Sequence, residues 1–89
     1  INTGGYKVNP REVEDALLAV GGIKQAAVYG RANPILGNVV CAKVVPMGGG
    51  IDEAAVREVL RKTLQGFKIP RIIETVRELP QTRTGKSLA

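Results

Sequence analysis

Leu79-Pro80-Gln81-Thr82-Arg83-Thr84-Gly85-Lys86, almost at the end of the chain, is the stretch whose side chains could do chemistry. Pro80 and Gly85 bracket hydroxyl, amide and guanidinium groups with no apolar periodicity. The stretch therefore reads as a surface loop, and loops on a rigid scaffold commonly carry function. Lys86 follows Gly85 directly and is expected to be the reactive tip, an ammonium group on a tether that can be offered to an anion outside the domain. The plainer reading is a frayed, solvated terminus in which the lysine does nothing.

Other candidates are weaker. Gly4 and Gly5, between Thr3 and the β-prone run Tyr6-Lys7-Val8, predict either a hairpin turn or a place where the backbone approaches a ligand. Arg57 and Arg61 fall on one side of a predicted helix. Arg61 and Lys62 also suit the negative end of its dipole, so solvation explains them equally well. Met47-Gly48-Gly49-Gly50 is not followed by the Lys-Ser/Thr that a phosphate loop requires, and reads as a connector. The chain has no His, which argues against metal sites and imidazole catalysis. Cys41 is the one cysteine; it excludes an intrachain disulfide and, within an apolar run, reads as a small buried hydrophobe.

At 89 residues and 44% hydrophobic content, the chain is expected to form one small soluble domain over 1–89. No segment is apolar enough to span a membrane. The chain opens at Ile1 on Asn-Thr-Gly-Gly with no signal-like run, which suggests a piece of a longer, cytoplasmic protein. Thirteen basic against eight acidic residues give +5, and most of the basic ones fall between Arg57 and Lys86. That skew favours an anionic partner: nucleic acid, a nucleotide cofactor or an acidic protein surface. Tyr6, Tyr29 and Phe67 are the only aromatics and lie far apart in sequence, so a stacking platform for single-stranded nucleic acid is poorly supported.

These groups are positioned by a predicted α+β arrangement. Asn9 as N-cap, Pro10 at the first helical position and Glu12 two residues later start a helix over roughly 10–20, with Val13, Ala16, Leu17 and Val20 on its apolar face and Gly21-Gly22 ending it. A strand over 23–30, a loop over 31–37 and a nearly all-apolar central strand over 39–45 follow. Lys43 interrupts that strand with a stem that can be covered while its head reaches water. Asp52 caps a second helix with the stripe Val56, Val59, Leu60 and Leu64. The pairs Glu53/Arg57 and Glu58/Lys62 lie on its outer face, Gly66 stops it, and Phe67 falls just beyond. Residues 71–77 supply a third strand. Strands 23–30 and 39–45 are close enough to be antiparallel, whereas the helix before 71–77 permits a parallel crossover. The product is a small mixed three-stranded sheet with helices packed on it, plus a short N-terminal β-turn segment.

Taken together, Thr3-Gly4-Gly5-Tyr6-Lys7-Val8-Asn9-Pro10-Arg11-Glu12-Val13-Glu14 and the terminal Pro80 to Lys86 loop resemble the C-terminal domain of adenylate-forming acid–CoA ligases. The resemblance covers essentially the whole chain, and its Gly-Gly-Tyr-Lys-Val-Asn-Pro segment is more similar to acyl- and aryl-CoA ligases than to peptide-synthetase adenylation domains. It implies a two-step reaction. A carboxylic acid attacks the α-phosphate of ATP to give an acyl-adenylate and pyrophosphate, and the thiol of CoA then displaces AMP. It also implies that a large N-terminal domain of the same enzyme holds ATP, Mg and the acid, that this mobile domain swings between two poses, and that the domain alone is inactive.

By the same resemblance Lys86 is the lysine that reaches ATP and acid in the first step. Gly4, Gly5, Tyr6 and Lys7 form the turn beside the pantetheine channel, and Arg61 matches an arginine near the nucleotide phosphates of CoA. The Pro80 to Lys86 spacing resembles sites of regulatory lysine acetylation in acyl-CoA synthetases. Two departures are visible: the hinge residue of the family would lie upstream of Ile1, and Ser87-Leu88-Ala89 stands where many relatives carry basic residues. An enzyme that loads a carrier protein instead of CoA is the near alternative. A stand-alone basic nucleic-acid-binding module, testable by a salt-dependent titration, is the alternative from another class.

Overall fold

The strand β4 (Gly37–Pro46) is the element on which the rest assembles. In the computed structural model, which describes residues 1–80, Val39, Val40, Cys41, Ala42, Val44 and Val45 are all buried. This matches the expectation of a strand covered on both faces, and Cys41 is a free, buried thiol. β3 (Ile23–Asn33) pairs with β4 antiparallel from Asn33↔Gly37 to Ile23↔Pro46, with a register irregularity near Lys24. β5 (Ile72–Thr75) lies parallel to β4 on its other side, with Cys41↔Ile72 to Val44↔Thr75 in register. The chain passes between β4 and β5 through α2 (Glu53–Leu60), so the mixed sheet and its helical crossover are present as expected.

The N-terminal turn segment contributes more than a turn. β1 (Asn2–Thr3) and β2 (Tyr6–Lys7) form a hairpin, and Thr3↔Gly37 attaches it to the start of β4, bringing the sheet to five strands. Gly4 (φ +58°) and Gly5 (φ +88°) form the two-residue turn, whose positive φ angles suit the right-handed twist of the flanking strands. The short strands of this hairpin are too brief to show a period of two in sequence.

α1 (Pro10–Leu18) starts where the capping residues place it: the Asn9 side chain accepts from Arg11 N–H at 2.9 Å. It ends two residues earlier than expected, as Ala19 to Gly22 turn the chain into β3. Val13 and Leu17 of α1 and Val56, Leu60 and Leu64 from the second helical region form one core with Val28, Val40, Ala42, Val44 and Ile73. The alternate residues of β4 thus meet both helices across one face of the sheet.

Five local expectations change, and the first is that the strand expected over 71–77 covers only Ile72–Thr75, where the pairing with β4 lies. β3 runs on to Asn33, because Arg31, Ala32 and Asn33 remain paired with β4 up to the hairpin tip. α2 closes at Leu60 rather than near Gly66; turns follow, and a short 3₁₀ segment covers Gly66–Lys68. Val59 is 44% exposed and leaves the core stripe, since Val56, Leu60 and Leu64 at i, i+4, i+8 already fill the face turned to the sheet. Glu58 meets Arg61 at 2.8 Å instead of Lys62, the one-turn neighbour at i, i+3.

Candidate functional site

The N-terminal hairpin and residues 66–71 line one depression, and a second adjoins it between α2 and the same segment. The first, about 310 Å³, is lined by Thr3, Gly4, Tyr6, Leu36, Val40, Gly66, Phe67, Ile69 and Arg71. The second, about 500 Å³, lies beside Arg57, Arg61, Leu64 and Pro70. Both share Gly66, Ile69 and Arg71, so they read as one groove with an aromatic end and an arginine end. Residues from both ends of the sequence meet in it.

Sequence separation concealed the aromatic end. Tyr6 and Phe67, sixty-one positions apart, stack with ring centroids 4.5 Å apart and an interplanar angle of 22°. Phe67 is partly buried against the core, while Tyr6 remains 58% exposed and presents its outer surface to the groove. Gly4 is held beside them: its N–H donates to Leu36 O at 2.8 Å, and a Cβ on Gly4 would stand 3.5 Å from Leu36 Cδ2. Gly5 is different. A Cβ there would meet nothing within 4 Å, so its requirement within this domain is the backbone conformation and not space.

At the arginine end, Arg57 is committed to the fold. Its Nε donates to Pro70 O at 3.1 Å and its Nη2 to Arg71 O at 2.8 Å, with Glu53 Oε1 3.4 Å away. This fork ties α2 to the entry of β5 and sets the backbone from which Arg71 projects. Arg61, the C-cap residue of α2, lines the groove with its guanidinium against exposed Glu58. Arg71 is exposed and belongs to both depressions.

Of the residues singled out from sequence, Gly4, Tyr6 and Arg61 therefore line the groove, and Gly5 sits at the hairpin turn next to it. Lys7 is exposed and does not line the groove, as alternation along β2 directs it away from Tyr6. Lys86 lies outside the described residues, as do Gln81 to Gly85. Phe67 and Arg71 were not anticipated as site residues. The faint signal for them is Gly66-Phe67-Lys68-Ile69-Pro70-Arg71, an aromatic and a cation between a helix-breaking Gly and a Pro, with a second cation just after the Pro.

Chemically, the groove offers aromatic and aliphatic surface at one end and fixed positive charge at the other, which fits a ligand with a flat or slender apolar part and an anionic part. Among the described residues no cluster of three or more His, Cys, Asp or Glu could hold a metal ion. No described helix is long and apolar enough to cross a membrane.

The sequence model for the AMP-binding enzyme C-terminal domain matches residues 12–86. The chain belongs to this family. A 3,4-dihydroxybenzoate–[aryl-carrier protein] ligase of Bacillus anthracis is 41% identical over 86 residues, spanning 97% of this chain and 20% of that protein. The human mitochondrial acyl-coenzyme A synthetase ACSM1 is 38% identical over 92 residues, spanning 97% and 16%. Among solved structures, apo MatB from Rhodopseudomonas palustris superposes with a TM-score of 0.84 at 38% identity over 90% of this chain and 16% of that one. The amide bond synthetase McbA of Marinactinospora thermotolerans gives 0.84 at 36% identity, with the same two shares. The chain thus spans about a fifth or less of the length of these relatives. The AMP-binding C-terminal fold and the α+β class read from sequence are those of the structure.

Proposed function

We propose that this chain is the mobile C-terminal domain of an acid–CoA ligase that activates a carboxylic acid with ATP and transfers the acyl group to CoA. The observation that carries the reading is the groove, in which Gly4 and Tyr6 from the N-terminal hairpin lie with Phe67, Arg71 and Arg61 in a chain of this family. The groove matches the chemistry of CoA. The aromatic end and the turn at Gly4-Gly5 suit the slender pantetheine arm, and Arg61 and Arg71 suit the nucleotide phosphates, with charge neutralisation and orientation as their contribution.

In the first step, the carboxylate oxygen of the acid bonds to the α-phosphorus of ATP while the bond to pyrophosphate breaks. Lys86 is assigned to this step: its ammonium group neutralises charge on the phosphate and acid oxygens as they approach and holds them in line. Mg, when bound, supplies further charge compensation on the phosphates; with ATP and the acid it is assigned to the N-terminal domain. In the second step the CoA thiol releases its proton to solvent, its sulfur bonds to the acyl carbon, and the bond from that carbon to the phosphate oxygen breaks as AMP leaves. The domain's own share is to orient the pantetheine arm along the hairpin turn.

The carrier-protein alternative has a specific observation behind it, since the Bacillus anthracis relative is named for an aryl-carrier protein. The two acceptors are separated by one experiment on the full-length enzyme. Acid-dependent ATP–pyrophosphate exchange measures the first step, and thioester formation is then followed with CoA or with a phosphopantetheinylated carrier. Exchange with rapid CoA thioester formation is expected; exchange with acylation of the carrier alone would move the assignment to the carrier-loading class. Exchange catalysed by the 89-residue chain alone would overturn the two-domain reading.

A further inference from the structure

The hairpin that carries the Gly4-Gly5 turn is anchored at its base by Ile1 and Val8 against the core and reaches the groove at its tip. It meets the start of β4 through Thr3↔Gly37 and through Asn38 Nδ2, which donates to Asn2 O at 3.4 Å, meets the loop before β4 through the Gly4–Leu36 hydrogen bond, and reaches the far side of the groove through the Tyr6–Phe67 stack. Phe67 itself belongs to a three-residue 3₁₀ segment with no side-chain cap. Phe67 and Ile69 pack against the core, and the segment's far end is held by buried Pro70 and by the Arg57 fork to Pro70 O and Arg71 O.

Lys68 links this segment to α1 as well. Its ammonium group donates to both carboxylate oxygens of Glu12, each at 3.1 Å, across fifty-six positions of sequence. The Lys68 side chain is only 19% exposed, and its Nζ also stands 5.8 Å from the centroid of the Phe67 ring. One cation thus engages both the ring that supports Tyr6 and the first turn of α1, which follows the hairpin directly. Glu12 is placed where a capping-box carboxylate would turn back to the Asn9 N–H, yet both its oxygens go to Lys68. The Tyr6–Phe67 stack and the Glu12–Lys68 ion pair thus join the hairpin and the first turn of α1 to the same segment.

We infer that Glu12 and Lys68 are positioning residues for the acceptor step: their ion pair locks the Tyr6–Phe67 wall of the groove and thereby the Gly4-Gly5 turn along which the acceptor's thiol arm passes. The inference rests on the function proposed above. It separates the two half-reactions, because the pair lies at the groove and makes no demand on the chemistry at the α-phosphate.

The test uses the full-length enzyme with substitutions Glu12→Gln and Lys68→Met, each read by acid-dependent ATP–pyrophosphate exchange and by CoA-dependent thioester formation. Exchange at close to the unsubstituted rate reports a folded protein. The KM for CoA should rise about ten-fold, the size of loss expected when an orienting contact and not a reacting group is removed. Lys68→Arg should recover most of the affinity, as should the reversed pair Glu12→Lys with Lys68→Glu; the reversed pair also serves if a single substitution impairs folding. An unchanged KM for CoA in both single variants would overturn the inference while leaving the ligase assignment intact, as would parallel loss in both half-reactions without rescue. Absence of both half-reactions from the unsubstituted enzyme would overturn the ligase assignment and the inference with it.

Discussion

Glu14, on α1, reaches across to β3 and accepts the backbone N–H of Val28 at 2.9 Å. Among the described residues β3 is an edge of the sheet, with β4 as its single strand neighbour, so this N–H has no strand to pair with. A carboxylate takes the place of the missing neighbour and closes one point of an edge that would otherwise be open to pairing with another chain.

Removing that acceptor has a predictable consequence. Glu14→Ala should lower stability by about 1–3 kcal/mol, the range for a partly buried hydrogen bond to a charged group, whereas Glu14→Gln keeps an acceptor and should cost less. Urea unfolding measures the difference. Amide exchange should show lost protection at Val28 specifically, and a uniform loss over the whole sheet would contradict the local origin assigned here.

Arg57 gives a second prediction, in which charge alone is not enough. Its fork reaches two successive carbonyls, Pro70 O and Arg71 O, a geometry that lysine does not reproduce. Arg57→Lys and Arg57→Ala should therefore both destabilise by about 1–3 kcal/mol. If Arg57→Lys unfolds at the urea concentration of the unsubstituted protein, the fork is not what ties α2 to the entry of β5.

Arg57 also shows how far the fold was legible in sequence. Caps, apolar spacing and glycine stops place α1, the start of α2 and the central strand, because each depends on residues within a turn or two: Asn9 beside Arg11, Asp52 beside Ala54 and Ala55. Arg57 reads equally well as half of an i, i+4 pair with Glu53, and that pair exists, but the contacts that fix its place are to residues 70 and 71. Phe67 escaped for the same reason. Its position after Gly66 shows that it leaves the helix, while its partner Tyr6 is set by the sheet, which joins β1 to the start of β4 at Thr3↔Gly37. Local chemistry is visible in a single sequence; which distant residues it meets depends on strand register, which short strands such as β1 and β2 do not reveal.

Gly5 supplies a prediction in which strain and obstruction can be told apart. With φ at +88° and open space where a methyl group would stand, Gly5→Ala and Gly5→Leu should suffer a similar backbone penalty of about 1 kcal/mol or somewhat more. Only Leu carries enough bulk to obstruct the thiol arm proposed to pass the turn. In the full-length enzyme both variants should retain ATP–pyrophosphate exchange, and thioester formation should fall much further in Gly5→Leu than in Gly5→Ala. Equal loss of thioester formation in the two would assign the effect to backbone strain.

Lys86 lies outside the described residues, so its prediction rests on its charge and on the role that the family resemblance implies for it. An ammonium group that neutralises the α-phosphate and acid oxygens is needed while the acid attacks, and has no comparable task once the adenylate exists. Lys86→Ala should therefore slow acid-dependent ATP–pyrophosphate exchange by about two to three orders of magnitude, the scale of losing one preorganised electrostatic contact, while a supplied acyl-adenylate still reacts with CoA. Acetylation of Lys86 should act in the same direction, since it replaces the cation with a bulkier neutral amide, and deacetylation should restore exchange. Both follow from one measurement series on enzyme bearing Lys, Ala or acetyl-lysine at position 86. Undiminished exchange in the acetylated protein would remove the catalytic assignment and the switch together, because each depends on the same positive charge.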